Sequence, residues 1–360
     1  MNHLKIVLII AVWVLTACSP ATPTVAPTPT PPLLAKEITY YGWPDELPQG
    51  VLDAFQAEFG VKVNYEGYES EEEGAANVRA GKVYDVVLIP NRMIKSLVDD
   101  NVLAEIDPSV VSNLKNIALN FRDLAYDPGN KHAIPAHWGT TGLVVRGDLV
   151  KPPITRWADL WRPDLQGKVA IWRGAPRDFI AATLVSLGYS ANSKDPTELA
   201  AVLKKLLELR PHVIFIEDYD ESTAAPLLVS GKAVVAFGYV NDMQIAQQEI
   251  SAVTYILPAE GTILWGENFT IPTNSPNKYT AELFINFLLR PQVNADIYGP
   301  LGYATANEAA KAYLKPEILN NRFIYPTNEE LHDAHIFQPL TPAEEKLYED
   351  IWQRFLVDKS

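Results

Sequence analysis

Residues 37–103 read EITYYGWPDELPQGVLDAFQAEFGVKVNYEGYESEEEGAANVRAGKVYDVVLIPNRMIKSLVDDNVL. Glu37 to Trp43 (EITYYGW) predicts a strand rich in β-branched and aromatic residues. Gln49 to Phe59 carries Val51, Leu52, Phe55 and Phe59 at helical spacing, and Gly60 closes it. Val61 to Tyr65 predicts a second strand. Tyr84 to Ile89 (YDVVLI) is almost continuously apolar, the pattern of a parallel strand buried on both faces. Ile94 to Leu103 predicts a further helix, and the acidic run Glu69 to Glu73 reads as a solvated helix start. Strands alternating with helices argue for a parallel sheet covered by helices.

The same alternation continues downstream. Strands are expected at Gly167 to Ile171, Val213 to Ile216 and Ala233 to Tyr239. Helices are expected at Asp178 to Leu187, Leu199 to Leu209, Ala281 to Leu289 and Ala343 to Phe355. This predicts an α/β architecture of two lobes with a cleft between them. In open α/β sheets, ligands bind beyond the carboxyl ends of the strands.

Outward from this body, the 360 residues are 48% hydrophobic and 21% charged, a globular composition. The 30 Lys and Arg against 44 Asp and Glu give a net charge of −14, which opposes nucleic-acid binding. Cys18 is the single cysteine, so an internal disulfide, a cysteine zinc site and an iron–sulfur cluster are excluded. At the N-terminus, Ile6 to Ala17 is an apolar run of signal-peptide length. It ends in Leu15-Thr16-Ala17-Cys18, which resembles a bacterial lipobox with Cys18 as the acylated residue. Residues 1–17 are thus expected to be a signal peptide. Residues 18–35 are expected to be a lipidated cysteine and a Pro/Thr-rich stalk that cannot pack a core.

The predicted strand ends collect aromatics beside acids. Trp43, Tyr239, Trp265 and Tyr303 recur beside Asp45, Asp178, Asp242 and Glu267. Aromatic faces attract alkylammonium groups, and carboxylates supply counter-charge and strong charge-assisted hydrogen bonds. The combination suits a ligand with a greasy stem and cationic ends. No hydrolase or phosphate-loop motif appears. His332 and His335 lack a third partner and read as surface residues, so no metal is expected.

From YYGW through VNYEGYES, YDVVLIP, HAIPAHWGTTGL, ITRWADLWRPDLQGKV, LGYSAN, EGTILW, INFLLRP and LGYATAN, residues 37–355 resemble the spermidine/putrescine-binding proteins of bacterial polyamine ABC transporters. The resemblance implies a type II periplasmic-binding-protein fold, each lobe a mixed, mainly parallel sheet, with two interlobe crossovers. It places lobe 1 at residues 36–140 and 266–311, and lobe 2 at 141–265 and 312–360. It implies a non-enzymatic, cofactor-free and monomeric binding component, held outside the cytoplasm by its lipid and served by a membrane permease and ATPase. Carried onto this chain, the ligand positions are Trp43, Asp45, Asn91, Asp178, Tyr239, Asp242, Trp265, Glu267, Tyr303 and Gln338.

Several residues depart from the family pattern. Ala175 stands where the spermidine-type site has an aspartate, and Met93 and Glu46 replace aromatics. Glu267 is one methylene longer than the usual aspartate. Arg92 adds a cation, read here as a solvated loop residue. These departures favour a putrescine-like diamine over spermidine. They leave two alternatives: the same fold binding an amino acid or betaine through Arg92, and a secreted hydrolase using the cleft carboxylates.

Overall fold

The computed structural model describes residues 32–217 and 224–357. The expected signal peptide, Cys18 and nearly all of the stalk lie outside the described residues. Among the described residues, no helix is long and apolar enough to cross a membrane.

The strands are β1 (Glu37–Gly42), β2 (Lys62–Gly67), β3 (Val86–Pro90), β4 (Ala133–Arg146), β5 (Val169–Trp172), β6 (Val213–Ile216), β7 (Val235–Gly238), β8 (Val253–Ile256), β9 (Ile263–Thr270), β10 (Ala304–Thr305) and β11 (His335–Ile336). The helices are α1 (Gln49–Phe59), α2 (Glu71–Arg79), α3 (Asn91–Asp99), α4 (Pro176–Ser186), α5 (Pro196–Leu209), α6 (Ala225–Val229), α7 (Val240–Gln247), α8 (Lys278–Leu288), α9 (Pro291–Leu301), α10 (Pro316–Leu319) and α11 (Pro342–Val357). The opening βαβ reading is met. Every residue of β3 is buried, and Gly60 ends α1 at φ 70° in the left-handed region, with its N–H on Gln56 O. The helix expected from Ile94 starts at Asn91 instead and ends at Asp99.

The main sheet order is β2-β1-β3-β9-β4-β7-β5-β6. β1 is parallel to β2 and β3, and β5 is parallel to β6 and β7. Between these two parallel sets run β9 and β4, antiparallel to each other and to their neighbours. β8 adds to β4 on its second edge.

Periodicity did not reveal β4 or β9 as strands. β4 holds Pro135, Gly139 and Gly142, and its register against β9 shifts between Pro135 and His137. A bulge of this kind breaks the period-two pattern by which a strand is recognised.

The apolar side chains separate into distinct cores. One gathers Ile38, Phe55, Val86, Phe269 and Phe284. A second gathers Trp157, Ile171, Phe179, Trp352 and Phe355. β4 supplies Ile134 and Ala136 to the first and Leu143 and Val145 to the second, while β9 supplies Phe269 to the first and Ile263 to the second. The two strands therefore run out of one core and into the other. This is the two-lobed mixed α/β arrangement, and the parallel strands of both sets end at the seam between the cores.

Candidate functional site

At that seam lies a cavity of about 680 Å3, open to solvent on one side. β1 delivers Trp43, Pro44 and Glu46 into it from the turn after its last residue, and α2 adds Glu71 from its first turn. β5 ends in Trp172, and α4 presents Asp178 from its first turn. β7 is followed by Tyr239. His137 comes from β4, Trp265 and Glu267 from β9, Leu301 from the end of α9 and Tyr303 from the turn after it.

The aromatic rings form a continuous wall. Tyr239 and Trp265 meet edge to face at 5.9 Å, and Trp265 meets Tyr303 at 5.2 Å in the same way. His137 stacks on Tyr303 at 5.3 Å and on Tyr298 at 4.7 Å. Trp43 and Trp172 meet at 6.0 Å. Gly139, opposite Trp265 in the β4/β9 register, is needed for this wall. A Cβ there would sit 2.3 Å from the Trp265 ring.

Four carboxyl groups face this wall, and burial raises the pKa of each. Glu267 is buried. Trp43 Nε1–H donates to its Oε1 at 3.3 Å, while Oε2 has no hydrogen-bond partner among the described residues. Burial lifts its pKa well above the ordinary range, and Glu71 and Glu46 add to the rise by repulsion. Glu46 is pushed up to about 8 by burial, with the Tyr298 hydroxyl opposing. His137 Nδ1 lies 3.4 Å from its Oε1, and burial drives His137 down to about 3, so the ring is neutral. Asp178 accepts from Thr141 Oγ1–H at 2.6 Å, and burial raises it against that bond. Burial lifts Glu71 to about 7, against the pull of Arg92. Trp265 Nε1 is likewise buried without a partner among the described residues. Carboxyls crowded this way, with their pKa values raised by burial, gain free energy from a cation brought among them.

Of the ten expected ligand positions, the structure brings six to the cavity: Trp43, Asp178, Tyr239, Trp265, Glu267 and Tyr303. The other four do not line it. Asp45 is exposed at φ 59°. Asp is one of the few residues that tolerate this left-handed turn, and the residue after it, Glu46, is the one buried in the cavity. Asn91 is the first residue of α3, immediately after Pro90, which pairs with Glu267. Asp242 is buried but turned back on its own helix, accepting the Tyr239 backbone N–H at 3.0 Å as the N-terminal cap of α7. Gln338 is exposed, and its backbone N–H donates to Asn192 Oδ1.

Arg92 is not the solvated residue expected. It is 9% exposed. Its Nε–H donates to Glu71 Oε2 at 2.9 Å, and its Nη2–H donates to Glu71 and, at 2.7 Å, to Glu72 Oε1. With its guanidinium held by two glutamates, Arg92 is not available to receive a ligand carboxylate, the role the amino-acid alternative required. His335 also departs from its surface reading. It pairs in β11 with β9, and its Nε2 lies 2.9 Å from Glu260 O.

Six lining residues escaped the sequence reading as ligand positions: the apolar Pro44 and Leu301, and Glu46, Glu71, His137 and Trp172. Glu46 and Trp172 stood beside expected ones at strand ends. Glu71 lay within an acidic run, and His137 inside the unrecognised strand.

A two-lobed fold with an aromatic and acidic cavity at the lobe seam defines a protein that captures a small solute. Consistent with that class, residues 50–322 match the bacterial extracellular solute-binding protein family. The chain belongs to this family, whose members bind solutes and are not enzymes. It is 32% identical over 318 residues to the spermidine/putrescine-binding periplasmic protein of Escherichia coli (strain K12), covering 88% of this chain and 90% of that one. It is 30% identical over 346 residues to the putrescine-binding periplasmic protein SpuD of Pseudomonas aeruginosa (strain UCBPP-PA14), covering 90% and 93%. Among solved structures, the putative spermidine/putrescine ABC transporter from Listeria monocytogenes superposes with a TM-score of 0.84 at 27% identity, covering 90% of this chain and 99% of that one.

Proposed function

We propose that this protein is the extracytoplasmic solute-binding component of an ABC importer and that it captures a polyamine, a short diamine of the putrescine type. The observation that carries this reading is the set of burial-raised carboxyls, Glu46, Glu71, Asp178 and Glu267, set among the faces of Trp43, Trp172, Tyr239, Trp265 and Tyr303. The aromatic faces would hold the methylene stem, and Glu46, Asp178 and Glu267 the ammonium ends, with Glu71 already paired to Arg92. The relatives named for spermidine and putrescine support the same class of ligand.

In this reading Cys18 carries the lipid, and the Pro/Thr-rich segment tethers a monomeric body near its permease and ATPase. Lobe 1 is residues 36–140 and 266–311, and lobe 2 is 141–265 and 312–360. The lobes close on the ligand by bending at the strands that join them. Asn91, at the rim, joins the site on closure, and Asp242 acts through Tyr239.

The test is calorimetric titration with putrescine, cadaverine, spermidine and spermine, with glycine betaine and γ-aminobutyrate as zwitterionic controls. Tight binding of a diamine, lost in Asp178→Asn, is the expected result. Binding of a zwitterion and of no amine would remove the polyamine reading.

A further inference from the structure

The cavity narrows at one end into a small annex. The annex shares Trp43, Glu71, Trp172, Asp178 and Tyr239 with the main cavity, and its wall adds Gly174, Ala175, Pro176 and two arginines, Arg92 and Arg177. Little free volume remains there, about 260 Å3 including open solvent. Arg92 approaches from α3, and its guanidinium is locked onto Glu71 and Glu72, both from the first turn of α2. The side chain of Arg92 is 8% exposed, so this is a cation held in place and not a solvated head that can swing away. Ala175, 7% exposed, offers no carboxylate on the opposite wall. Asp178 is then the carboxylate at this end without a guanidinium hydrogen-bonded to it, and Arg92 and Arg177 both act on it electrostatically.

We propose that Arg92 is a length filter: its fixed guanidinium occupies the place beside Glu71 that a further ammonium group of a longer polyamine would need. The inference rests on the polyamine reading of the site. A diamine spans from the Glu267 and Glu46 end to Asp178 and stops there. A triamine must bring one more positive charge up against Arg92, with Glu71 already taken and no acid at position 175. The result is repulsion between like charges in a confined place, together with an ammonium that has no carboxylate of its own. The filter works by the charge and bulk of a residue on α3 that lines the annex beside Asp178.

The experiment compares putrescine and spermidine by calorimetry on the wild-type protein, Arg92→Ala, Arg92→Gln and Arg92→Lys. Wild type is expected to prefer putrescine. Arg92→Ala frees both the space and Glu71, and should shift the spermidine-to-putrescine affinity ratio toward spermidine by roughly tenfold to a hundredfold, the worth of one charge-assisted hydrogen bond. Arg92→Gln, nearer in size, should shift it the same way if loss of the guanidinium prevents the alanine variant from folding. Arg92→Lys keeps the charge and should keep the wild-type ratio. An unchanged ratio in a folded Ala or Gln variant that still binds putrescine overturns the filter and leaves the polyamine reading intact. A wild-type protein that binds neither amine overturns both.

Discussion

Glu267 and Asp178 are held in different ways. Glu267 is fixed by an indole N–H and is otherwise unpaired, whereas Asp178 is fixed by a threonine hydroxyl. Glu267→Gln and Asp178→Asn keep size and one acceptor but remove the charge. Each is expected to weaken diamine binding by about 2–5 kcal/mol, the cost of leaving a buried charge without its partner, as read by calorimetry. Gly139→Ala should drive the Trp265 ring out of place, because the new Cβ falls 2.3 Å from it. The expected signature is altered tryptophan emission together with weakened binding. Six of the cavity-lining residues were named from the sequence because aromatics recur beside acids there and the family resemblance falls on them, although Trp265 and Glu267 lie inside the unrecognised β9 and Asp178 in the first turn of α4. Glu71 was not. Along an acidic run every residue looks equally solvated, and only the packing of α2 on α3 turns Glu71 and Glu72 toward Arg92 while Glu69 and Glu73 stay exposed. Asp45 and Glu46 were exchanged for a similar reason, since a left-handed residue within a turn reverses which neighbour faces inward.

The elements place the site through their ends. α7 begins at the residue after Tyr239, and Asp242 holds that start by accepting the Tyr239 N–H. Gly238 leaves room for the same carboxylate, since a Cβ there would lie 2.5 Å from Asp242 Oδ2. Asp242→Ala should cost about 1 kcal/mol of stability as a lost helix cap. It should also weaken ligand binding by loosening Tyr239, and thermal melting with and without putrescine separates the two effects. The regular helices and the parallel strands were legible because their periodicity is undisturbed. β4 and β9 were not, since a bulge and two glycines remove the alternation from β4, and Gly266, Glu267 and Asn268 make the centre of β9 polar. The same irregularity admits the ligand-facing side chains, so the functional strands are the ones that pattern reading passes over.

For the whole molecule, the raised carboxyls couple pH to stability. Glu46 moves from an ordinary 4.5 to about 8 on folding, and Glu71 from 4.5 to about 7. Between those values the folded state holds protons that the unfolded state has lost, so their contribution is full below pH 4.5 and declines as pH rises. His137 has the opposite sign. Its pKa falls from 6.5 to about 3, so its contribution is full above pH 6.5 and is lost on acidification. The melting temperature of the unliganded protein should therefore fall between pH 6.5 and 8, where the carboxyls act unopposed by His137. A saturating diamine, which favours the ionised carboxylates, should flatten that decline. Diamine affinity should rise over the same interval, with protons released on binding.

The mixed ancestry of the first core governs when the chain can fold. Ile38, Phe55 and Val86 come from the first quarter of the sequence, yet they pack against Phe269, Phe284 and Ile297. About 200 residues separate the two halves, so loop closure on this scale must precede the closing of this core. A fragment of residues 32–260 lacks β9, α8 and α9 and is expected to show no cooperative melt for its first lobe. During synthesis, the local cluster of Tyr41, Tyr68, Val87 and Leu97 can gather early, but this core stays open until β9, α8 and α9 have emerged. For a member of an extracellular family, delayed collapse keeps the polypeptide threadable while it crosses the membrane. The long-range pairing that unites the lobes then also postpones folding to the far side.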